Sequence, residues 1–113
     1  IASGASAVLA YNDLIAFGLL DRLKQRGVVV PDDISVVGVD NIPMSALSSP
    51  ALTSVGIPRV NCGRAGADML VALLRRPDLP ATHHHDLSFQ LVVRESTAPV
   101  GQHARPRTAA ALA

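Results

Sequence analysis

Short apolar runs alternate with helical segments along the chain, and this alternation limits the possible folds more than any other feature of the sequence. Three runs have the length and composition of buried strands, at residues 6–11, 34–40 and 52–58. A fourth, residues 87–96, alternates in polarity and is expected nearer a sheet edge. Alternating strands and helices are typical of a parallel sheet with helices on its faces. We therefore predict an α/β fold with a Rossmann-like parallel sheet.

The first helical segment has clear signals at both ends. Asn12 can accept an N–H of the first turn, and Gly27 is typical of the residue just beyond a helix. Helical periodicity predicts a core-facing stripe of Ile15, Ala16, Leu19, Leu20 and Leu23. Leu14 and Phe17 fall outside that stripe. Their cover could be a ligand near Leu14, a second subunit near Phe17, or neighbouring parts of the chain.

The second helical segment, residues 59–77, must stop before Pro77 and is apolar over about half of its circumference. It needs burial on more than one side. Four strands and two long helices also cannot cover both faces of a sheet, so we expect a fragment of a larger domain. Residues 98–113 mix Pro, Gly and Ala with isolated basic residues and are expected to form a loose tail.

Composition narrows the class of protein. Of the 113 residues, 49% are hydrophobic, which predicts a packed core. The net charge is +1 and the basic residues form no stripe, so this chain alone should bind DNA poorly. No apolar run approaches the roughly 20 residues of a membrane span, so we expect a soluble protein. The single cysteine excludes an internal disulfide framework and suits a reducing compartment.

Two neighbouring strands are followed by polar pairs, Asn12–Asp13 and Asp40–Asn41. In open α/β sheets the ligand crevice lies beyond the carboxyl ends of the strands. Carboxylates and carboxamides there can bind the hydroxyls or ring nitrogens of a metabolite. Each residue also has a structural interpretation. Asn12 could be only a helix cap, Asp13 is expected to satisfy backbone donors as an acid of the first turn, and Asp40 could be only a turn residue.

Signs of catalysis or metal binding are weak. The sequence has no glycine-rich phosphate-binding motif and no nucleophile elbow, and Cys62 lies in a helix without a nearby histidine in sequence. The only lysine, Lys24, is inside a helix, so a phospho-acceptor role for Asp40 lacks its partner. His83, His84 and His85 are consecutive and cannot easily direct three imidazoles at one ion. We predict no enzymatic activity, no metal and no cofactor.

Four ordered motifs then resemble a known family. They are N-D-x-x-A-x-G from Asn12, G-x-x-V-P-D-D-I-S-V-V-G-x-D from Gly27, P-x-L-T-S-V from Pro50 and V-R-E-S-T from Val93. Together residues 6–99 resemble the C-terminal part of the sensor domain in the LacI/GalR (lactose-repressor/galactose-repressor) family of bacterial transcription regulators. Sensor domains of that family look like periplasmic sugar-binding proteins, with two α/β subdomains and a small effector in the cleft between them.

The resemblance implies roles for particular residues. The cleft residues of the family fall on Asn12 and Asp40, and a third effector position falls on Leu14, which would pack against the ligand and not hydrogen-bond it. The segments that form much of the dimer interface in the family imply a homodimer whose interface contains Phe17, Leu20, Met44 and Leu47.

The resemblance also implies an organisation. Residues 1–97 would belong to the sensor domain, with about 1–55 and 87–97 in the second subdomain and about 56–86 crossing into the first. Operator DNA would be bound only through a helix-turn-helix segment that has no counterpart here. The expected protein is a cytoplasmic, repressor-type regulator that responds to a small metabolite such as a sugar. The alternatives are the solute-binding component of a sugar transporter, which shares the fold, and a truncated product without function.

Overall fold

The computed structural model describes residues 4–76 and 86–100, and these fall into two compact units. Residues 4–56 and 90–100 form the first unit, which contains a four-stranded sheet and one long helix. Residues 57–76 and 86–89 belong to the second unit, which contains the other long helix. The three candidate ligand residues, Asn12, Leu14 and Asp40, lie in the first unit.

The sheet consists of β1 (Ala7–Leu9), β2 (Ser35–Asp40), β3 (Thr53–Gly56) and β4 (Gln90–Val92) in that spatial order. The first three strands are parallel, so the predicted α/β fold with a mainly parallel sheet is confirmed. Strand β4 occupies an edge, as predicted, and runs antiparallel to β3. It reverses direction because Gly56, where the chain leaves the first unit, pairs with Gln90, where it returns.

Strand β1 forms the other edge and is less buried than the sequence predicted. Leu9 is exposed and Val8 is half-buried. The alternating exposure arises because only one face of β1 is well covered by the described residues. The apolar composition of this strand suits a sheet that is covered on both faces.

Helix α1 (Asp13–Gln25) begins at the predicted cap, Asn12, and is followed by Gly27 in the left-handed conformation at φ 68°. Its buried residues are Asp13, Ala16, Leu20 and Leu23. The predicted core position of Ile15 is wrong, since this residue is 55% exposed. The buried residues keep helical spacing, but the first of them is Asp13. A prediction from apolar residues alone could not include an acid, so it placed the buried stripe part of a turn away from its observed position.

The core of the first unit lies between α1 and one face of the sheet. It contains Ala10, Ala16, Leu20, Leu23, Ile34, Val36 and Leu52. After β2, residues Pro43–Ala46 form a 3₁₀ turn in which Ser45 is fully buried. This turn brings the chain that leaves β2 back against the start of α1, where the candidate site lies.

Helix α2 (Arg59–Arg75) ends before Pro77, as the sequence required. None of its residues is buried in the described part of the chain. Several large apolar side chains are exposed along it, namely Val60, Leu70, Val71 and Leu74. The expectation that this helix needs cover from outside the present sequence stays a prediction.

Candidate functional site

The segment that leaves strand β2, residues 40–42, is called the exit segment here. Its first two residues have positive φ angles, 107° at Asp40 and 48° at Asn41. Such angles are unfavourable for residues other than glycine, and Asn and Asp tolerate them best. A residue held in a sparsely populated backbone region costs about 1–3 kcal/mol and persists only where surrounding contacts impose it. The exit segment must therefore be held in place by its neighbours.

Asp13 provides one set of those contacts. Its carboxylate is fully buried at the start of α1. Oδ2 accepts hydrogen bonds from the Ile42 N–H at 2.9 Å and the Ser45 hydroxyl at 2.6 Å, and Oδ1 accepts one from the Ser54 hydroxyl at 2.6 Å. A buried carboxylate is costly unless its oxygens are hydrogen-bonded, and here both are. The expected structural role is observed, but its donors come from segments outside the first turn of α1.

Asn41 is held by a second set of contacts. Its N–H donates to the Ser54 hydroxyl oxygen at 3.0 Å. Its side-chain oxygen accepts a hydrogen bond from Arg94 Nη2 at 2.7 Å, and Nη1 of the same guanidinium donates to the Leu52 carbonyl at 2.6 Å. Hydrogen bonds from a charged donor are among the stronger ones in proteins. In the exit segment, the backbone amides of Asn41 and Ile42 and the side chain of Asn41 are thus fixed.

Gly38 in strand β2 creates the space for the buried carboxylate. A Cβ atom at this position would overlap Asp13 Oδ1 and would lie 2.9 Å from Leu52 Cδ2. The glycine of the V-G-x-D motif is therefore required by packing, since its φ is not in the left-handed region. Its role is to let a helix N-terminus approach the sheet closely.

Asn12 caps α1 as predicted, with its side-chain oxygen accepting the Ile15 N–H at 2.9 Å. The strand register pairs Leu9 with Val37, so Asn12 and Asp40 each lie three residues beyond a paired position. Both are consequently at the carboxyl edge of the sheet, as the sequence indicated. The cap requires only the side-chain oxygen, so a ligand contact through the carboxamide nitrogen is compatible with it.

Leu14 lies in the first turn of α1, two residues after Asn12, and is 64% exposed. Exposure of a leucine beside two polar strand ends is compatible with apolar contact to a ligand, as in mostly apolar binding sites with a few polar groups. No contact in the described residues assigns that role to it.

The four residues expected at a subunit interface lie around one open groove in the first unit. Phe17, Leu20, Met44 and Leu47 line it together with Asp21, Lys24, Ser48 and Ser49, and its volume is about 320 Å³. Leu47 is 83% exposed, whereas Leu20 is only 8% exposed and belongs mainly to the core. The groove therefore offers an apolar surface in which Phe17, Met44 and Leu47 dominate.

Sequence reasoning missed several residues of this site. Ser45, Ser54 and Arg94 were not singled out, although each makes a direct hydrogen bond to Asp13 or Asn41. One available signal was Ser54 within the third strand, because a hydroxyl in a strand that is predicted to be buried needs a hydrogen-bond partner.

Other chemistry has little support in the described residues. Within residues 4–76 and 86–100, no cluster of three or more His, Cys, Asp or Glu residues could hold a metal ion. His83, His84 and His85 lie outside the described residues. Cys62 is half-buried in α2. None of the described helices has the length and apolar character to cross a membrane.

A mainly parallel α/β sheet is typical of proteins that bind small ligands beyond the carboxyl ends of the strands, the edge at which Asn12 and Asp40 lie. Residues 2–97 match the family of periplasmic binding protein-like domains, and the chain belongs to that family. The resemblance to LacI/GalR sensor domains is confirmed, because similar proteins include repressors and LacI-family regulators.

Two relatives illustrate the similarity in sequence. The HTH-type transcriptional repressor PurR of Vibrio parahaemolyticus is 40% identical over 70 residues, which are 62% of this chain and 21% of the repressor. The HTH-type transcriptional regulator RegA of Clostridium acetobutylicum is 34% identical over 90 residues, which are 80% of this chain and 27% of the regulator. The chain thus spans about a quarter of the length of these relatives.

Solved structures give the same family. A LacI family transcriptional regulator from Enterococcus faecium with bound ribose superimposes with a TM-score of 0.73 at 34% identity, over 85% of this chain and 35% of that one. A LacI family transcriptional regulator from Arthrobacter sp. FB24 in complex with lactose gives 0.72 at 38% identity, over 85% of this chain and 36% of that one.

Proposed function

We propose that this chain is part of the effector-binding domain of a bacterial transcriptional repressor, and that it binds a small polar metabolite such as a sugar through Asp40 and Asn12. The observation that carries the proposal is the exit segment. Asp40 keeps an unfavourable backbone conformation at the sheet edge where ligands bind in this class of fold. Strained residues concentrate at functional sites, so the strain supports a functional role for Asp40.

The chemistry of the two residues suits a polyol. A carboxylate accepts hydrogen bonds from two adjacent hydroxyls, and a carboxamide both donates and accepts. Leu14 would cover an apolar face of the ligand. The solved relatives with ribose and lactose bound support sugars as the first compounds to test.

Regulation would follow from a shift between two conformations. An effector that binds one arrangement of two subdomains more tightly favours that arrangement and so changes affinity for operator DNA. The DNA contact itself would be made outside this chain. The names of the relatives favour the repressor over a transporter component, and a repressor would act in the cytoplasm, where the operator is.

The ligand role of Asp40 is tested by Asp40→Ala in the full-length gene product that contains this chain. We expect loss of the thermal shift produced by ribose or lactose, or by whichever compound of a wider sugar panel stabilises the parent. The melting temperature without ligand should fall only modestly, because alanine tolerates the positive φ of this position less well than aspartate does. Asp68→Ala is the matched control, because it removes an exposed acid from helix α2 and leaves the exit segment intact. Loss of stability with unchanged affinity would make Asp40 a turn residue only.

The groove around Phe17 supports a second proposal, that the protein forms a homodimer. Exposed apolar side chains at Met44 and Leu47 beside Phe17 form a surface that a second copy could bury. A two-fold axis would bring the same patch of both copies together.

Phe17→Glu should weaken the dimer, because it places a charge in the apolar lining of the groove. Sedimentation velocity over a range of concentrations would measure the change. Ile15→Glu is the control, since Ile15 is exposed on the same helix and does not line the groove. If both variants remain dimers to the same dilution as the parent, the interface lies elsewhere.

A further inference from the structure

Asp13 joins three separate parts of the first unit through one buried carboxylate. Its donors are Ile42 in the exit segment, Ser45 in the 3₁₀ turn and Ser54 in strand β3. In sequence they lie 29, 32 and 41 residues from Asp13. A first-turn acid that only favoured its own helix would need none of these contacts.

We propose that Asp13 is a positioning residue for effector binding: it holds the exit segment in its left-handed conformation and so fixes where the carboxylate of Asp40 lies. The effector part of this inference rests on the proposed function. The geometric part concerns only the exit segment and can be tested without any ligand.

The hydrogen bonds give Asp13 control over two successive amides. It accepts the Ile42 N–H directly. It acts on Asn41 through Ser54, whose hydroxyl donates to Asp13 Oδ1 while its oxygen accepts the Asn41 N–H. Because a serine hydroxyl rotates freely to suit its acceptor, the carboxylate fixes the direction in which Ser54 presents its lone pairs. Removal of the carboxylate therefore releases the Ile42 amide directly and loosens the hold of Ser54 on the Asn41 amide.

The two amides belong to Asn41 and Ile42, the two residues that follow Asp40. Asp40 and Asn41 have the two positive φ angles found at residues other than glycine in the described chain. A segment in this conformation relaxes toward ordinary backbone angles when its contacts are removed. Relaxation would move Asp40 away from its position at the sheet edge even if the core stayed folded.

Asp13→Ala and Asp13→Asn separate this role from general stability. Alanine removes every acceptor. Asparagine keeps the shape but only one acceptor oxygen. That oxygen can accept hydrogen bonds either from both Ile42 and Ser45 or from Ser54, but not from all three. The control is Leu23→Ala, which truncates a buried core residue on the same helix that makes no hydrogen bond to the exit segment. Should Asp13→Ala fail to fold, Asp13→Asn provides the same comparison.

The geometric readout is amide hydrogen exchange in the full-length gene product. We expect Asp13→Ala to accelerate exchange at Asn41 and Ile42 about tenfold more than Leu23→Ala does, and Asp13→Asn to accelerate mainly one of the two. If the Asp13 variants change these amides no more than Leu23→Ala does, the proposal is overturned whatever any ligand does.

The functional readout is the affinity for ribose and lactose by calorimetry, with Asp40→Ala measured beside the Asp13 variants. We expect both Asp40→Ala and Asp13→Ala to lose about tenfold or more in affinity, and Leu23→Ala to keep it. Loss in Asp40→Ala with full affinity in Asp13→Ala overturns the positioning role. Faster exchange in Asp13→Ala with no loss of affinity in Asp40→Ala supports control of the exit segment and refutes the ligand role of Asp40.

Discussion

Replacement of Gly38 by alanine tests how closely the helix N-terminus and the sheet must approach. The added Cβ would overlap Asp13 Oδ1 and would lie 2.9 Å from Leu52 Cδ2. Ordinary contacts between carbon atoms are at about 3.5–4.0 Å, so both neighbours would have to move. Leu52 is a fully buried core residue and Asp13 is held by three hydrogen bonds, so neither can move without loss.

The expected cost follows from these two displacements. Overpacking of a well-packed core costs about 1–3 kcal/mol. Weakening one hydrogen bond to a charged group adds part of the roughly 1.5–3 kcal/mol that such a bond contributes. Alanine recovers about 0.5–1 kcal/mol because it restricts the unfolded chain more than glycine does. We therefore expect Gly38→Ala to lower the free energy of unfolding by about 3 kcal/mol.

Urea unfolding followed by circular dichroism measures this loss. Gly18→Ala is the matched control, because a Cβ at Gly18 in helix α1 meets nothing within 4 Å and should stabilise the helix by about 0.5–1 kcal/mol. In an Asp13→Ala background the overlapping oxygen is absent, so Gly38→Ala should cost clearly less there. A cost below about 1 kcal/mol, or the same cost in both backgrounds, would refute the reasoning.

Two further predictions concern single hydrogen-bonding groups. Asn12→Ala should lower the free energy of unfolding by about 1 kcal/mol through loss of the cap to Ile15, while Asn12→Asp keeps the cap and the stability. An unchanged effector response in Asn12→Asp would limit Asn12 to a capping role. Arg94→Lys should lower the free energy of unfolding in urea by about 1–2 kcal/mol, because one ammonium cannot reproduce the two guanidinium hydrogen bonds to Asn41 and the Leu52 carbonyl. An unaltered midpoint of urea unfolding would mean that these bonds contribute no net stability.

The parts of the structure that depend on local sequence could be predicted. Asn12 and Gly27 act through their own backbone and that of the adjacent turn, so the limits of α1 followed from residue type alone. The strands and their order along the chain followed from three apolar runs and one run of alternating polarity. The antiparallel direction of β4 could not, because it depends on where the chain returns from the second unit.

The candidate site could be predicted only in outline. Polar strand ends placed Asn12 and Asp40 at one edge, but the contacts that hold the exit segment join residues far apart in sequence. Arg94 bonds to Asn41 across 53 residues, and Ser54 bonds to Asp13 across 41. An acid at the start of a helix is common for electrostatic reasons, so the sequence offered no sign that this one would be buried.

The same hydrogen bonds suggest how affinity and selectivity are divided within the site. The hydrogen bond between Asp13 Oδ2 and the Ile42 N–H joins the two segments that carry the candidate ligand groups. Asp13 directly follows Asn12, and Ile42 lies two residues after Asp40. Groups held at a fixed spacing need no ordering when a ligand binds, which preserves affinity. Leu14 is exposed, and its apolar side chain forms no hydrogen bonds. Substitutions at Asp13 should therefore weaken every ligand alike, whereas polar substitutions at Leu14 should change which ligand is preferred while leaving the fold intact.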